Sequence, residues 1–159
     1  MDDFEPLSSM TRVSRNTVDN RLEQSCTPPP ERSFGPISLT DIVRYQGASG
    51  DFHPAHHDPG FARSFGLDRP MSLGLLSAGY LATMATDWLG PANVRNFKAQ
   101  FKTPVLVGES LTGSIRILKT EDGAGSRRIE LELTAVKSTG EIAVIAWATF
   151  AVPLPSMEG

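Results

Sequence analysis

Residues 71–89, MSLGLLSAGYLATMATDWL, form the stretch that decides the fold. Pro70 precedes them, and proline is well tolerated at the first position of a helix. Large apolar side chains occur all around the predicted helix, and no charged residue occurs before Asp87. A helix that is apolar on every side is a buried helix. Because it is interrupted by glycine and followed by strands, we expect a β-sheet rather than a membrane to cover it.

Four strand-like segments follow this helix. Residues 97–101, 111–117 and 129–135 alternate apolar and polar side chains, which is the period of a half-buried strand. Residues 142–152 are apolar on both faces, which is typical of a strand covered on both sides or lying in a subunit interface. Turn-forming dipeptides separate neighbouring segments, namely Asp122-Gly123 and Thr139-Gly140. The order of elements predicts an α+β fold with antiparallel strands.

Shorter elements are predicted before the long helix. Residues 34–37 suit a short strand, and Ser38 and Asp41 match a capping box that begins a helix ending at residues 47–50. We expect its apolar side to consist of Ile42, Val43 and Tyr45. A second short helix is predicted over residues 59–65, closed by Gly66.

Composition limits the class of protein. The chain has 159 residues, of which 40% are hydrophobic, and this fits one domain. We predict a disordered N-terminal extension over residues 1–32 and a single domain over residues 33–155. A net charge of −3 offers no basic surface for nucleic acid, and no apolar run reaches the roughly 20 residues of a membrane span. Acidic residues stand where a signal peptide would be basic, and the lone Cys26 fits a reducing cytoplasm, so we expect cytoplasmic localisation.

Residues 49–58, SGDFHPAHHD, concentrate the polar chemistry of the chain. All three histidines lie here together with two aspartates, and Pro54 prevents a continuous helix. Asp51 and His56 must therefore converge from a loop. A carboxylate and an imidazole that hold one water between them form a general acid–base pair.

The other polar residues of this segment have simpler interpretations. Asp58 suits the N-cap of the following helix, His57 suits a solvated loop position, and His53 suits a structural hydrogen bond. The chain has no further histidine, and its one cysteine is distant, so a complete metal site is not expected.

Residues 45–58, YQGASGDFHPAHHD, resemble the signature of MaoC-like (R)-specific enoyl-CoA hydratases and 3-hydroxyacyl thioester dehydratases. The similarity continues through Phe61-Ala62, Gly66, Arg69-Pro70 and Gly74, and through residues 101–109, FKTPVLVGE. It spans about residues 33–152. The resemblance implies the hotdog fold, in which a curved antiparallel sheet wraps around one long helix.

The resemblance also implies a function. Asp51 and His56 match the catalytic positions for adding water to a 2-enoyl thioester or dehydrating an (R)-3-hydroxyacyl thioester. The Gly74 backbone N–H is expected to bind the thioester carbonyl, while Ser49, His53 and Asp58 order the loop or contact substrate. No cofactor or metal is implied beyond coenzyme A or an acyl carrier as the carrier of the substrate. A homodimer, or a heteromer with another hotdog chain, is the expected assembly.

The sequence departs from the family pattern at two positions. His53 stands where relatives often have asparagine, and Leu73 stands where they often have histidine.

Two rival functions are also compatible with the sequence. A non-catalytic partner subunit of a heteromeric hydratase is the first rival. An acyl-thioesterase is the second, although it needs a carboxylate along the helix, which has none before Asp87. Four basic residues of the strands are candidates for binding the phosphates of the carrier: Lys98, Lys102, Arg127 and Arg128.

Overall fold

Five antiparallel strands and one long helix dominate the structure, a computed structural model that describes residues 27–154. The elements in chain order are β1 (Arg32–Phe34), α1 (Leu39–Ser49), a 3-10 turn (Pro54–His56), α2 (Pro59–Ser64), α3 (Gly74–Leu89), a second 3-10 turn (Pro91–Asn93), β2 (Val94–Phe101), β3 (Leu111–Asp122), β4 (Ser126–Lys137) and β5 (Ile142–Pro153). The predicted extension falls mostly outside these residues, because the first 26 are not described. Within residues 27–154 no helix is long and apolar enough to cross a membrane.

The strands form a single sheet in the order β1-β3-β4-β5-β2, and every neighbouring pair is antiparallel. The turns predicted from glycine dipeptides connect β3 to β4 and β4 to β5; at the first of them the Gly123 N–H donates to the Ser126 carbonyl at 2.9 Å. Along β4 the apolar Ile129, Leu131, Leu133 and Ala135 are buried, and the polar residues between them are half-buried, as the sequence period predicts. The predicted α+β class is confirmed.

Helix α3 lies against the sheet and contacts β2, β3, β4 and β5. The core between them consists of buried side chains from the helix and from the central strands: Leu81, Met84, Ala85, Ile129, Leu131, Leu133, Val144, Ala146 and Phe150. Burying each large side chain contributes roughly 1.5–3 kcal/mol. Gly113 of β3 permits the closest approach, because a Cβ there would lie 2.6 Å from Met84 Sδ. This is the helix covered by a sheet that the sequence predicts.

Helix α1 begins as predicted, and two of its three predicted apolar residues face the core: Ile42 is buried and Tyr45 packs against the core. Ser38 Oγ accepts the Asp41 N–H at 3.1 Å, and Asp41 Oδ2 accepts the Ser38 N–H at 3.0 Å, which completes the capping box. Val43 is 50% exposed, so its predicted place on the apolar side is wrong. Gln46, one turn after buried Ile42, takes an inward position instead.

The long helix starts at Gly74, three residues later than the predicted range of residues 71–89. The preceding residues are extended, because they pair with the segment that joins β2 to β3. Met71 forms a bridge with Leu106, and the Ser72 N–H donates to the Val105 carbonyl at 2.6 Å. This pairing holds the joining segment beside the first turn of α3, where a pocket opens.

Candidate active site

The loop after α1 is shaped by local hydrogen bonds. Gly50 ends the helix with a positive φ of 74°, which glycine adopts without strain. Asp51 Oδ1 then accepts the His53 N–H at 3.2 Å, and His53 Nδ1 accepts the Ala55 N–H at 3.3 Å. Pro54 follows as the first residue of the 3-10 turn. These contacts reverse the chain so that residues 51 and 56 face each other.

His56 is buried, with 6% exposure, and its ring is held in one orientation. Its Nδ1 lies 2.8 Å from the Met71 carbonyl oxygen. A carbonyl only accepts hydrogen bonds, so Nδ1 carries the hydrogen. In the neutral ring Nε2 therefore presents a lone pair.

Asp51 faces that lone pair. Its Oδ2 lies 3.7 Å from His56 Nε2, and the aspartate side chain is 49% exposed. The separation is too long for a direct hydrogen bond but suits two groups that contact the same small molecule. The convergence predicted for a carboxylate and an imidazole is present.

A pocket of about 340 Å³ extends from this pair. Its walls come from the loop after α1, the start of α3, the segment after β2 and the start of β5; the lining residues are Asp51, His56, Met71, Ser72, Leu73, Gly74, Leu75, Ser77, Phe101, Lys102, Thr103, Pro104, Val105, Ala143 and Val144. Most of these side chains are apolar. The pocket therefore suits a ligand that is largely apolar with few polar atoms.

The first turn of α3 supplies unpaired backbone donors to the pocket. Leu73, the N-cap, makes no side-chain cap to the helix. The N–H of Gly74 has no carbonyl partner within the helix and carries part of the positive end of the helix dipole. A Cβ on Gly74 would lie 2.8 Å from Phe101 Cδ1, so glycine also lets β2 pack closely here. Gly74, Asp51 and His56 line the same pocket.

The remaining predicted site residues lie outside the pocket lining and order the loop. Ser49 Oγ accepts the Asp51 N–H at 3.3 Å, and the His53 ring lies edge-on to Phe61 with centroids 5.4 Å apart. Asp58 caps α2 by accepting the Gly60 N–H at 2.7 Å. Hydrogen bonds from the Phe61 and Gly60 N–H groups hold the pKa of Asp58 below its ordinary value of 3.8.

Gln46 is a site-supporting residue that the sequence interpretation missed. Its side chain is 2% exposed, and its Nε2 donates to the Asp51 carbonyl at 2.9 Å. Its Oε1 lies 3.2 Å from His57 Nδ1. His57 is exposed as predicted, but it has this hydrogen bond in addition. The available signal was a polar residue four positions after Ile42, on the buried side of α1.

The described residues contain no group of three or more histidine, cysteine, aspartate or glutamate side chains that could hold a metal ion. The expectation of a site without a metal remains a prediction.

Comparison with known proteins identifies the family. The sequence pattern of the family described as "MaoC like domain" matches residues 18–140, which is more than half of the chain. The chain therefore belongs to the MaoC-like domain family, whose named members include hydratases and dehydratases. The (R)-specific enoyl-CoA hydratase of Rhodospirillum rubrum is 32% identical over 83 residues, which cover 51% of this chain and 58% of that protein. The chain thus matches little more than half the length of this relative.

Solved structures show the same fold. The (R)-hydratase from A. caviae involved in PHA biosynthesis has a TM-score of 0.72 at 23% identity, covering 82% of this chain and 99% of that one. A chain of the ChsH1–ChsH2 complex from Mycobacterium tuberculosis has a TM-score of 0.68 at 23% identity, covering 77% of this chain and 93% of that one. The hotdog fold implied by the sequence resemblance is confirmed.

Proposed function

We propose that this chain is a hydro-lyase that adds water to 2-enoyl thioesters, or dehydrates (R)-3-hydroxyacyl thioesters, with Asp51 and His56 as the acid–base pair. The observation that carries the proposal is the 3.7 Å separation of Asp51 Oδ2 and His56 Nε2 at the wall of a largely apolar pocket. The relatives named as hydratases and dehydratases support the reaction class. We further propose a cytoplasmic setting, which the single cysteine supports.

The proposed reaction uses one water molecule held by the pair. The Asp51 carboxylate and the Nε2 lone pair of His56 each accept one hydrogen of the water, which directs the oxygen toward C3 of the substrate. As the C3–O bond forms, one proton passes to the pair and the electrons of the double bond move toward the thioester carbonyl. The pair then returns that proton to C2, and the other hydrogen remains on the new hydroxyl. Dehydration is the same sequence in reverse.

The thioester carbonyl becomes an enolate oxygen during this reaction and needs a hydrogen-bond donor. The Gly74 N–H is the proposed donor, because it lines the same pocket at the unpaired start of α3. The absence of a side chain at Gly74 would let the carbonyl come close. Small and apolar pocket residues leave space for an acyl chain.

Coenzyme A or an acyl carrier is the proposed carrier of the substrate. Arg127 pairs with Asp122, and Arg128 pairs with Glu130, which leaves them less suited to bind phosphate. Lys98 and Lys102 are exposed, and they have no ion pair within residues 27–154. Lys102 also lies at the pocket, so it is the stronger candidate for a contact with the carrier. We expect Lys102→Glu to raise KM for an enoyl-CoA, and an unchanged KM would exclude this contact.

The test of the main proposal is the loss of enoyl-thioester absorbance with short, medium and bulky 2-enoyl-CoA substrates. We expect Asp51→Asn and His56→Ala to lower kcat by roughly 10²–10⁴. Asp68→Asn, an exposed carboxylate outside the pocket, is the matched control and is expected to keep wild-type rates. Hydration that is indifferent to both pocket variants would refute the acid–base assignment.

A partner subunit of a heteromeric hydratase is the second candidate. Strand β2 ends the sheet, so its outer edge is unpaired within the described residues, and an unpaired edge invites association with another chain. The ChsH1–ChsH2 complex supports pairing of two such chains. Co-purification with a second hotdog chain, with no hydration by this chain as a homodimer, would favour this candidate. The thioesterase alternative lacks similar support, because Asp87 of α3 pairs with Arg32 at 2.9 Å and does not line the pocket.

A further inference from the structure

Ser77 has a buried hydroxyl that no hydrogen bond uses. Its side chain is 1% exposed, and among residues 27–154 its Oγ is the single buried side-chain nitrogen or oxygen atom without a partner. Such an atom destabilises the folded state unless a water or a ligand satisfies it. It therefore calls for an explanation in terms of what occupies the pocket.

The usual local partner of a helical serine is already occupied. Serine and threonine within helices often donate to the carbonyl four residues earlier, and Thr83 does so to the Gly79 carbonyl at 2.9 Å. For Ser77 that carbonyl belongs to Leu73. The Leu73 oxygen already accepts from Leu76 N at 3.1 Å, from Ser72 Oγ at 3.4 Å and, weakly, from Ser77 N at 3.5 Å. The Ser77 hydroxyl thus has no acceptor on its own helix, and Ser77 is one of the residues that line the pocket.

The position of Ser77 relates it to the start of the helix. It follows Gly74 by three residues, so the two lie on the same face of α3, and both line the pocket that contains Asp51 and His56. Helical side chains lean toward the N-terminus of their helix, which directs the Ser77 side chain toward the first turn. The pocket lining therefore combines a backbone N–H and a hydroxyl of α3 with the carboxylate and imidazole of the loop.

We propose that the Ser77 hydroxyl donates a hydrogen bond to the thioester carbonyl oxygen, as a second donor beside the Gly74 N–H. This inference rests on the function proposed above. The carbonyl is the acceptor of an enoyl thioester that gains negative charge as water adds, whereas the acyl chain offers no acceptor to a buried hydroxyl. A donor fixed in place before the reaction stabilises that charge strongly.

The test compares Ser77→Ala with wild type in hydration of crotonyl-CoA. We expect kcat to fall by roughly 10²–10³ with KM nearly unchanged, because the lost interaction is strongest in the transition state. We expect the melting temperature to rise, because an unsatisfied buried hydroxyl has been removed. Thr83→Ala removes an exposed hydroxyl from the same helix and is the control expected to keep wild-type kcat. Ser77→Thr keeps the hydroxyl and is expected to retain more activity than Ser77→Ala.

A spectroscopic measurement separates this role from a structural one. Crotonyl-CoA carrying ¹³C at the carbonyl would be bound to Asp51→Asn and to Asp51→Asn/Ser77→Ala, and the infrared difference spectrum recorded. We expect the carbonyl stretch at lower wavenumber when Ser77 is present, because a hydrogen bond weakens the C=O bond.

The possible outcomes distinguish the two proposals. If wild type hydrates crotonyl-CoA in an Asp51-dependent manner but Ser77→Ala keeps its kcat and the same carbonyl stretch, the role of Ser77 is overturned while the hydro-lyase proposal stands. A rise in KM with unchanged kcat would assign Ser77 to ground-state binding and also overturn it. Absence of hydration by wild type on every enoyl thioester would overturn both.

Discussion

Lys137 offers the sharpest test of how the pocket wall is held. It is the last residue of β4, in register with the inward-facing positions of that strand, and it is 8% exposed. Its Nζ lies 3.2 Å from Glu109 Oε1, 3.3 Å from Glu141 Oε2 and 3.3 Å from the Pro104 carbonyl oxygen. Three acceptors match the three hydrogens of an ammonium group. The lysine thereby ties the segment after β2, which lines the pocket, to the end of the sheet.

Lys137→Met is expected to destabilise the fold, because it leaves the Glu109 carboxylate without its cation. Glu109 is only 16% exposed at its side chain, and after the change the Leu106 N–H, at 2.8 Å from Oε2, would be its main remaining contact. Removing one partner of a buried pair costs about 3–5 kcal/mol, because the other charge is left uncompensated. Since Glu109 retains some contact with solvent, we expect a loss near the lower end, about 3 kcal/mol. For a chain of this length that corresponds to a fall of roughly 10 °C in melting temperature.

Urea unfolding of purified variants provides the measurement. Lys137→Met/Glu109→Gln removes both charges, so we expect it to recover at least half of the loss seen in Lys137→Met alone. Glu141→Gln is the matched control, because Glu141 is 54% exposed at its side chain and its pairing is expected to contribute less than about 1 kcal/mol. A free energy of unfolding for Lys137→Met within about 1 kcal/mol of wild type, or a double variant no more stable than the single one, would contradict a buried charge pair at Lys137.

Three further outcomes are expected. Gln46→Leu removes the hydrogen bond to the Asp51 carbonyl. We expect the free energy of unfolding in urea to fall by roughly 1–3 kcal/mol and kcat to fall as well. An unchanged kcat would show that the loop keeps its conformation without Gln46. Gly74→Ala places a methyl group against the Phe101 ring, and we expect the displaced ring to raise KM. Phe101→Leu in the same chain is expected to restore the wild-type KM. A double variant with no recovery of KM would contradict this explanation. The depressed pKa of Asp58 means that the unfolded chain binds more protons between the folded pKa and 3.8, so the stabilising effect of Asp58 is present above 3.8 and is lost as pH falls through the lower folded pKa. Asp58→Asn keeps a capping oxygen and should reduce the fall in melting temperature on acidification below 3.8, whereas a fall equal to that of wild type would refute the assignment.

Much of the fold is predictable because its signals are local and repeated. The alternation along β4 and the turn at Gly123 are properties of neighbouring residues, and the structure matches them. The start of α3 was misplaced because Met71 and Ser72 pair with a segment more than 30 residues later in the chain. No periodicity within residues 71–89 carries that information. A prediction from local pattern therefore extends the helix over Met71 and Ser72.

Part of the candidate site is predictable from the sequence, and part of it is not. Asp51 and His56 are close in sequence, so a proline between them suffices to predict that they converge. The roles of Gln46 and Ser77 depend on which polar side chains become buried, and burial is a property of the whole packing. Ser77 resembles any small residue of a tightly packed helix until its lack of a partner is visible.

The pocket draws its two walls from widely separated parts of the sequence. The groups proposed to perform the chemistry lie within residues 46–77, whereas the rest of the lining comes from the end of β2, the segment after it and the start of β5. Because Thr103 and Val144 lie outside that range, we expect substitutions there to leave the spacing of Asp51 and His56 unchanged. Substitutions in the second half of such a chain can shift its preference toward a longer, shorter or bulkier acyl group. The proposed reaction would stay the same. Libraries restricted to residues 101–105 and 143–144 would be the economical place to look for altered substrate range.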